Sequence, residues 1–145
     1  MKNIWSILCT RSIIDQRTNA LSLIDCVDEL TVTFSKLEEM SSVNKNIPIA
    51  LEVVSLWHDE AKESERVLAY VIEIIDPQGK KVGEFKNEAK IEAGKTRLRA
   101  ITGINGLQLT SEGRYLVKIL LQEADELKPI SEIPIDVRFL LNMKQ

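Results

Sequence analysis

A chain of 145 residues, 44% apolar and 28% charged, has the length and balance of one folded domain and too much apolar content for extended disorder. Its formal charge of −3, from 19 basic and 22 acidic residues, gives no general attraction to nucleic acid or to an anionic membrane. No apolar run approaches the roughly 18 residues of a membrane-spanning helix, two cysteines are too few for a disulfide scaffold, and one histidine argues against a multi-histidine metal centre.

Arg11 and Asp15 follow the first apolar residues too soon for an export leader, so the expected setting is the cytoplasm, with reduced thiols and neither membrane nor nucleic acid as partner. Ile4 to Ile14 and Ala20 to Phe34 read as the arms of a hairpin with its tip at Gln16-Arg17-Thr18-Asn19. If the turn is symmetric about Arg17 and Thr18, residues whose numbers sum to 35 face each other, which makes Cys9 and Cys26 cross-strand partners. Ser35 to Asn46 lacks a full helical stripe and reads as a long loop with room for one helical turn.

Ile49, Leu51, Val53, Ser55 and Trp57 alternate along one strand face, while Val54 and Leu56 make the other face apolar too. The charged run from His58 to Arg66 interrupts the pattern, and Leu68, Tyr70, Ile72 and Ile74 resume it. Asp76-Pro77-Gln78-Gly79, with proline second and glycine fourth, predicts a type I turn. The chain returns through Val82 to Ile91 as a polar, edge-exposed strand, and Arg97 to Ile101 reads as another short one. Tyr115, Val117, Ile119 and Leu121, then Ile133, Ile135, Val137 and Phe139, alternate on the last two strands. Gln122 to Lys128 is the polar connector between them, Pro129 opens the final strand, and Pro134 marks an edge or a bulge.

About eight strands, with a turn signal every ten residues or so, predict an all-β, single-domain antiparallel sandwich over residues 1–145. Gly113, two residues before Tyr115 at the start of a strand, fits the tyrosine corner of immunoglobulin-like sandwiches, and a plain core tyrosine fits the same residues. Several segments together (Trp5-Ser6-Ile7-Leu8-Cys9, Asn19 to Ile24, Ile72 to Gly79, and Gly113-Arg114-Tyr115) resemble a family of small uncharacterised bacterial proteins carrying a domain of unknown function. Asp25 stands where that family often has glycine. The resemblance implies an immunoglobulin-like β-sandwich with no assigned activity, and it brings no catalytic residues.

Three constellations invite chemistry. Ala89-Lys90-Ile91-Glu92-Ala93-Gly94-Lys95-Thr96 matches a relaxed phosphate-loop pattern, but the flanking residues suit neither the buried strand nor the helix which that loop needs, so a hairpin turn at Ala93-Gly94 is expected. His58, Asp59 and Glu60, with Glu63 and Glu65 nearby, carry metal-ligand chemistry; neighbours on a strand point to opposite faces, so the bland reading is a solvated loop. Lys80 to Arg99 holds seven basic and three acidic residues, and only Phe85 is available there to stack on a base.

With no catalytic residues, no cofactor and no metal assigned, the expected function is a non-enzymatic protein-interaction or assembly module. Its partner is another protein or its own copy, met at the sandwich edges or end loops, with Val82 to Ile91 and Pro129 to Phe139 the strands most open to edge pairing. The alternative is a small-ligand or carbohydrate-binding sandwich using Trp57, Trp5 or His58 at a loop-end pocket. Tyr115, Gly113, Trp57 and Trp5 are the expected structural residues, and His58, Asp59 and Glu60 the candidate contacts.

Overall fold

In the computed structural model, which describes residues 1–61 and 63–142, nine strands and one short helix follow one another along the chain. The strands are β1 (Lys2–Ile14), β2 (Leu21–Cys26), β3 (Glu29–Phe34), β4 (Lys45–His58), β5 (Arg66–Ile75), β6 (Lys81–Ile91), β7 (Arg97–Leu109), β8 (Gly113–Glu123) and β9 (Glu126–Leu141). The helix, α1 (Leu37–Ser41), is the single turn expected within the loop after residue 34. Two sheets form, β2-β1-β4-β7 and β3-β9-β8-β5-β6. Their inner faces enclose one cluster that includes Leu8, Val53, Trp57, Ile72, Ile104, Tyr115, Ile119 and Ile135, all at most 1% exposed. The architecture is an immunoglobulin-like all-β sandwich.

The strand count and the pairing differ from expectation in the N-terminal third. Asp25 takes a left-handed backbone (φ 51) and ends β2 one residue later. The chain then crosses to the opposite sheet, where β3 runs parallel to β9, from Glu29 opposite Asp136 to Phe34 opposite Leu141. Ala20 to Phe34 is therefore two strands in two sheets, and the sandwich is not wholly antiparallel.

Turn chemistry sets most of the remaining boundaries. Asp15 closes the first hairpin, its carboxylate accepting from the amides of Arg17 at 2.7 Å and Thr18 at 3.1 Å. At the predicted type I turn the Gly79 amide donates to the Asp76 carbonyl at 3.0 Å, and Gly79 takes φ 87, where other residues are strained. The β8–β9 connection is tighter than its polar sequence suggests: strand pairing runs out to Glu123 opposite Glu126, so β9 begins three residues before Pro129. Pro134 lies on the same side of β9 as Asp136, whose amide reaches the Asp28 carbonyl at 2.9 Å. The donor missing at Pro134 thus falls on the stretch of β9 that β3 does not cover.

The segment after β6 also departs from expectation. Lys95 N–H bonds the Glu92 carbonyl at 3.1 Å and Gly94 takes φ 87, so a turn forms at Ala93-Gly94. It does not close a hairpin, because β6 and β7 belong to different sheets. β7 is a 13-residue strand rather than a short one, absorbing Gly103 and Gly106.

Candidate functional site

The Tyr115 hydroxyl donates to the Ser111 carbonyl at 2.7 Å and accepts from the amides of Thr110 at 3.0 Å and Ser111 at 3.2 Å. Its ring is fully buried, so this is a tyrosine corner. The neighbouring turn locks onto it. Asp76, 5% exposed, accepts from the Thr110 hydroxyl at 2.7 Å and from the Lys80 and Gln78 amides at 2.8 and 3.0 Å. Burial pushes the Asp76 carboxyl up, but the donation from Thr110, Lys80 and Gln78 outweighs it and holds the carboxyl below its ordinary range. Gly113 (φ 139) passes so close to Pro77 that a Cβ would lie 3.0 Å from its ring.

Trp57 is a core anchor. Fully buried, it donates its indole N–H to Ser55 Oγ at 2.8 Å and packs 5.8 Å from Tyr70, whose hydroxyl bonds Thr102 Oγ1 at 2.7 Å. Burial raises the Tyr70 phenol above its usual value despite that bond.

His58, Asp59 and Glu60 do not converge. Asp59 is taken up by the loop, accepting from the Ala61 amide at 3.2 Å and the Arg66 guanidinium at 3.0 Å, which together hold its carboxyl low. His58 sits in a cross-strand row with Lys2 and Arg97, and Glu60 is exposed. Among the described residues no group of three or more metal-ligating side chains comes together. Cys9 and Cys26 are direct cross-strand partners, in the register expected of the hairpin. The Val27 amide donates to the Leu8 carbonyl at 2.8 Å, which makes the cysteines a closely spaced, non-hydrogen-bonded pair. Both thiols are free, and burial, with help from Glu52, pushes the Cys9 thiol up.

The site that sequence reasoning missed lies on the outer face of the four-stranded sheet. Glu52, Val54 and Leu56 of β4 face outward there, opposite Cys9, Ile7 and Trp5 of β1 and Gly103, Ile101 and Arg99 of β7. β1 follows β4 only as far as Cys9; Arg11 to Ile14 pair with β2 alone. This free end of the hairpin folds back over the sheet. Ser12 Oγ donates to Glu52 Oε2 at 2.6 Å, and Arg99 Nη1 donates to the Asn19 carbonyl at the hairpin tip at 2.8 Å. Val54, between these anchors, is fully buried although it faces away from the core. The apolar outer face of β4 was the signal in the sequence, since a strand apolar on both sides is covered on both sides.

Between hairpin and sheet lies a groove of about 760 Å³ with Trp5 and Leu56 on the sheet side and Leu21 and Leu23 on the hairpin side. Among the described residues Lys90, Lys95, Arg97 and Arg99 line it, with Glu92 as the one acidic residue. Of the two tryptophans, Trp5 is therefore the one at a cavity.

Sheet edges complete the surface. Among the described residues β7 pairs only with β4 and β6 only with β5, leaving each with an open side. β9 is flanked by β8 and, from Asp136 onward, by β3, so only the first part of Pro129 to Phe139 is open. No helix among the described residues is long and apolar enough to cross a membrane. No protein-family model matches the chain, and no curated protein matches it either.

Proposed function

We propose that this protein is a non-enzymatic binding module that associates along an open strand edge, its partner a second copy of itself paired through β7. The observation that carries this reading is the character of that edge. From Ala100 to Leu109 β7 has no charged residue, and among the described residues it pairs on one side only, with β4. Strand edges are normally protected by charge, proline or a cover, because their free N–H and C=O groups accept another strand. β6 is protected in that way by Lys81, Glu84, Lys86, Glu88 and Lys90. In an antiparallel β7–β7 pair centred near Gly103, Arg97 and Arg99 of each copy would face uncharged residues of the other, so no like charges oppose the pairing.

The test needs no other partner: light scattering after gel filtration across a range of protein concentrations, with the double variant Ile101→Lys, Asn105→Lys. Both positions are exposed on the outer face of β7 and would face each other across the two-fold axis. The wild type is expected to dimerise, and the variant to dissociate at concentrations about tenfold higher or more. A wild type that stays monomeric overturns the reading, as does a dimer indifferent to both lysines.

A further inference from the structure

The groove under the hairpin has a composition that neither edge pairing nor the core requires. Its floor is apolar and recessed, with Trp5 and Leu56 half-buried beneath Leu21 and Leu23. Its lining carries four cations against one carboxylate, in a chain whose overall charge is −3. Lys90 is engaged with Glu65 at 3.6 Å. Among the described residues no carboxylate lies within salt-bridge distance of Lys95, Arg97 or Arg99, and the Arg99 guanidinium bonds only the carbonyl and side-chain oxygens of Asn19. The other large depression, about 690 Å³ over β5 and β6, differs in this respect: there Lys81 is neutralised by Glu73 and Glu84.

We propose that the groove binds a small free amphipathic anion, its apolar body against Trp5 and Leu56 and its phosphate, sulfonate or carboxylate head among Lys95, Arg97 and Arg99. The volume suits a ligand of drug or short-lipid size, and an apolar lining with a few convergent polar groups is the usual make-up of such a site. Guanidinium groups without carboxylate partners favour an oxyanion that they can bind bidentately. A polyanion would not need the apolar floor, and a membrane surface would not reach it beneath the hairpin. Arg97 and Arg99 belong to β7, but the anion site needs only their side chains and not the pairing of that strand, so it is tested separately from the proposed dimer.

The ligand probe is dodecyl phosphate, kept below its micellar concentration and titrated by calorimetry and by amide and indole NMR shifts. Inorganic phosphate, dodecyltrimethylammonium and phosphatidylglycerol vesicles are the comparisons. Dodecyl phosphate is expected to bind one per chain, about tenfold or more tighter than either small comparison ligand, with shifts at the Trp5 indole and at Leu23 and Leu56. Lys95→Ala with Arg97→Ala removes two exposed side chains, leaves the spectrum folded and weakens binding at least about tenfold, whereas Arg97→Lys with Lys95 intact retains most of it. The proposal is overturned if the cationic amphiphile binds as well, if the double variant binds unchanged, if the shifts lie elsewhere, if only vesicles bind, or if nothing does.

Discussion

Replacing Tyr115 by Phe removes one oxygen and leaves the buried ring in place, which isolates the contribution of the corner. That oxygen makes three contacts: a donated bond of 2.7 Å to the Ser111 carbonyl and accepted bonds of 3.0 and 3.2 Å from the Thr110 and Ser111 amides. A neutral intramolecular bond contributes about 1 kcal/mol net, and a backbone group left without a partner costs more where water cannot reach it. The Ser111 bonds are partly open to solvent, so the three together should be worth about 2 kcal/mol. Urea unfolding followed by tryptophan emission and by circular dichroism measures this directly. With a slope of about 2 kcal/mol per molar, the midpoint should fall by about 1 M at unchanged slope. The thermal midpoint should drop by about 4–8 °C. A loss below about 0.5 kcal/mol would mean that water replaces the hydroxyl and that the corner is held by packing alone.

Three further outcomes follow from neighbouring contacts. Asp76→Asn should cost about 1–3 kcal/mol at neutral pH by replacing an acceptor of three bonds with an amide. Because the folded-state pKa of Asp76 is depressed, its contribution is present above the ordinary carboxylate value and is lost as the pH falls through the folded one; urea midpoints of wild type and variant should therefore converge as the pH falls below about 4. Gly113→Ala forces a Cβ against Pro77 at a positive φ and should destabilise by about 1–3 kcal/mol, while Gly103→Ala, with open space around it, should stay within about 0.5 kcal/mol of wild type in the same assay. Tyr70→Phe and Thr102→Val each orphan one end of a buried hydroxyl pair and should cost about 1–2 kcal/mol; the double variant should cost scarcely more than either, and full additivity in the cycle would show that the two hydroxyls do not interact.

Local chemistry was the part of this fold most legible in the residues. Asp76-Pro77-Gln78-Gly79 named its own turn, and the symmetry of the first hairpin placed Cys9 opposite Cys26. A period of two also separates core-facing from outward residues, as Leu68, Tyr70, Ile72 and Ile74 show. It does not say which sheet a strand joins. β2 and β3 carry similar alternation, and only the left-handed backbone at Asp25 and the crossing after Cys26 send them apart. The groove was hidden for a related reason, since it is built from the outer faces of β1 and β4, the overhanging hairpin, the end of β6 and the start of β7, residues remote in sequence. His58, Asp59 and Glu60 drew notice through composition, yet the Arg66 guanidinium, seven residues on, had already claimed the carboxylate that a metal would need.

The parallel pairing of β3 with β9 has a kinetic side. Roughly a hundred residues separate the partners, so closing that contact costs about 4 kcal/mol of chain entropy, against little more than 1 kcal/mol for the β5–β6 turn. On a ribosome adding about 5–20 residues per second, β3 emerges several seconds before the strand it pairs with exists. During that interval Leu30, Val32 and Phe34 have no permanent cover, and β3 of one nascent chain can pair with the β9 of a neighbour whose own β3 has not yet docked. Domain exchange through β3 is thus the misassembly this topology makes most accessible, and raising synthesis rate on crowded messages should increase its yield.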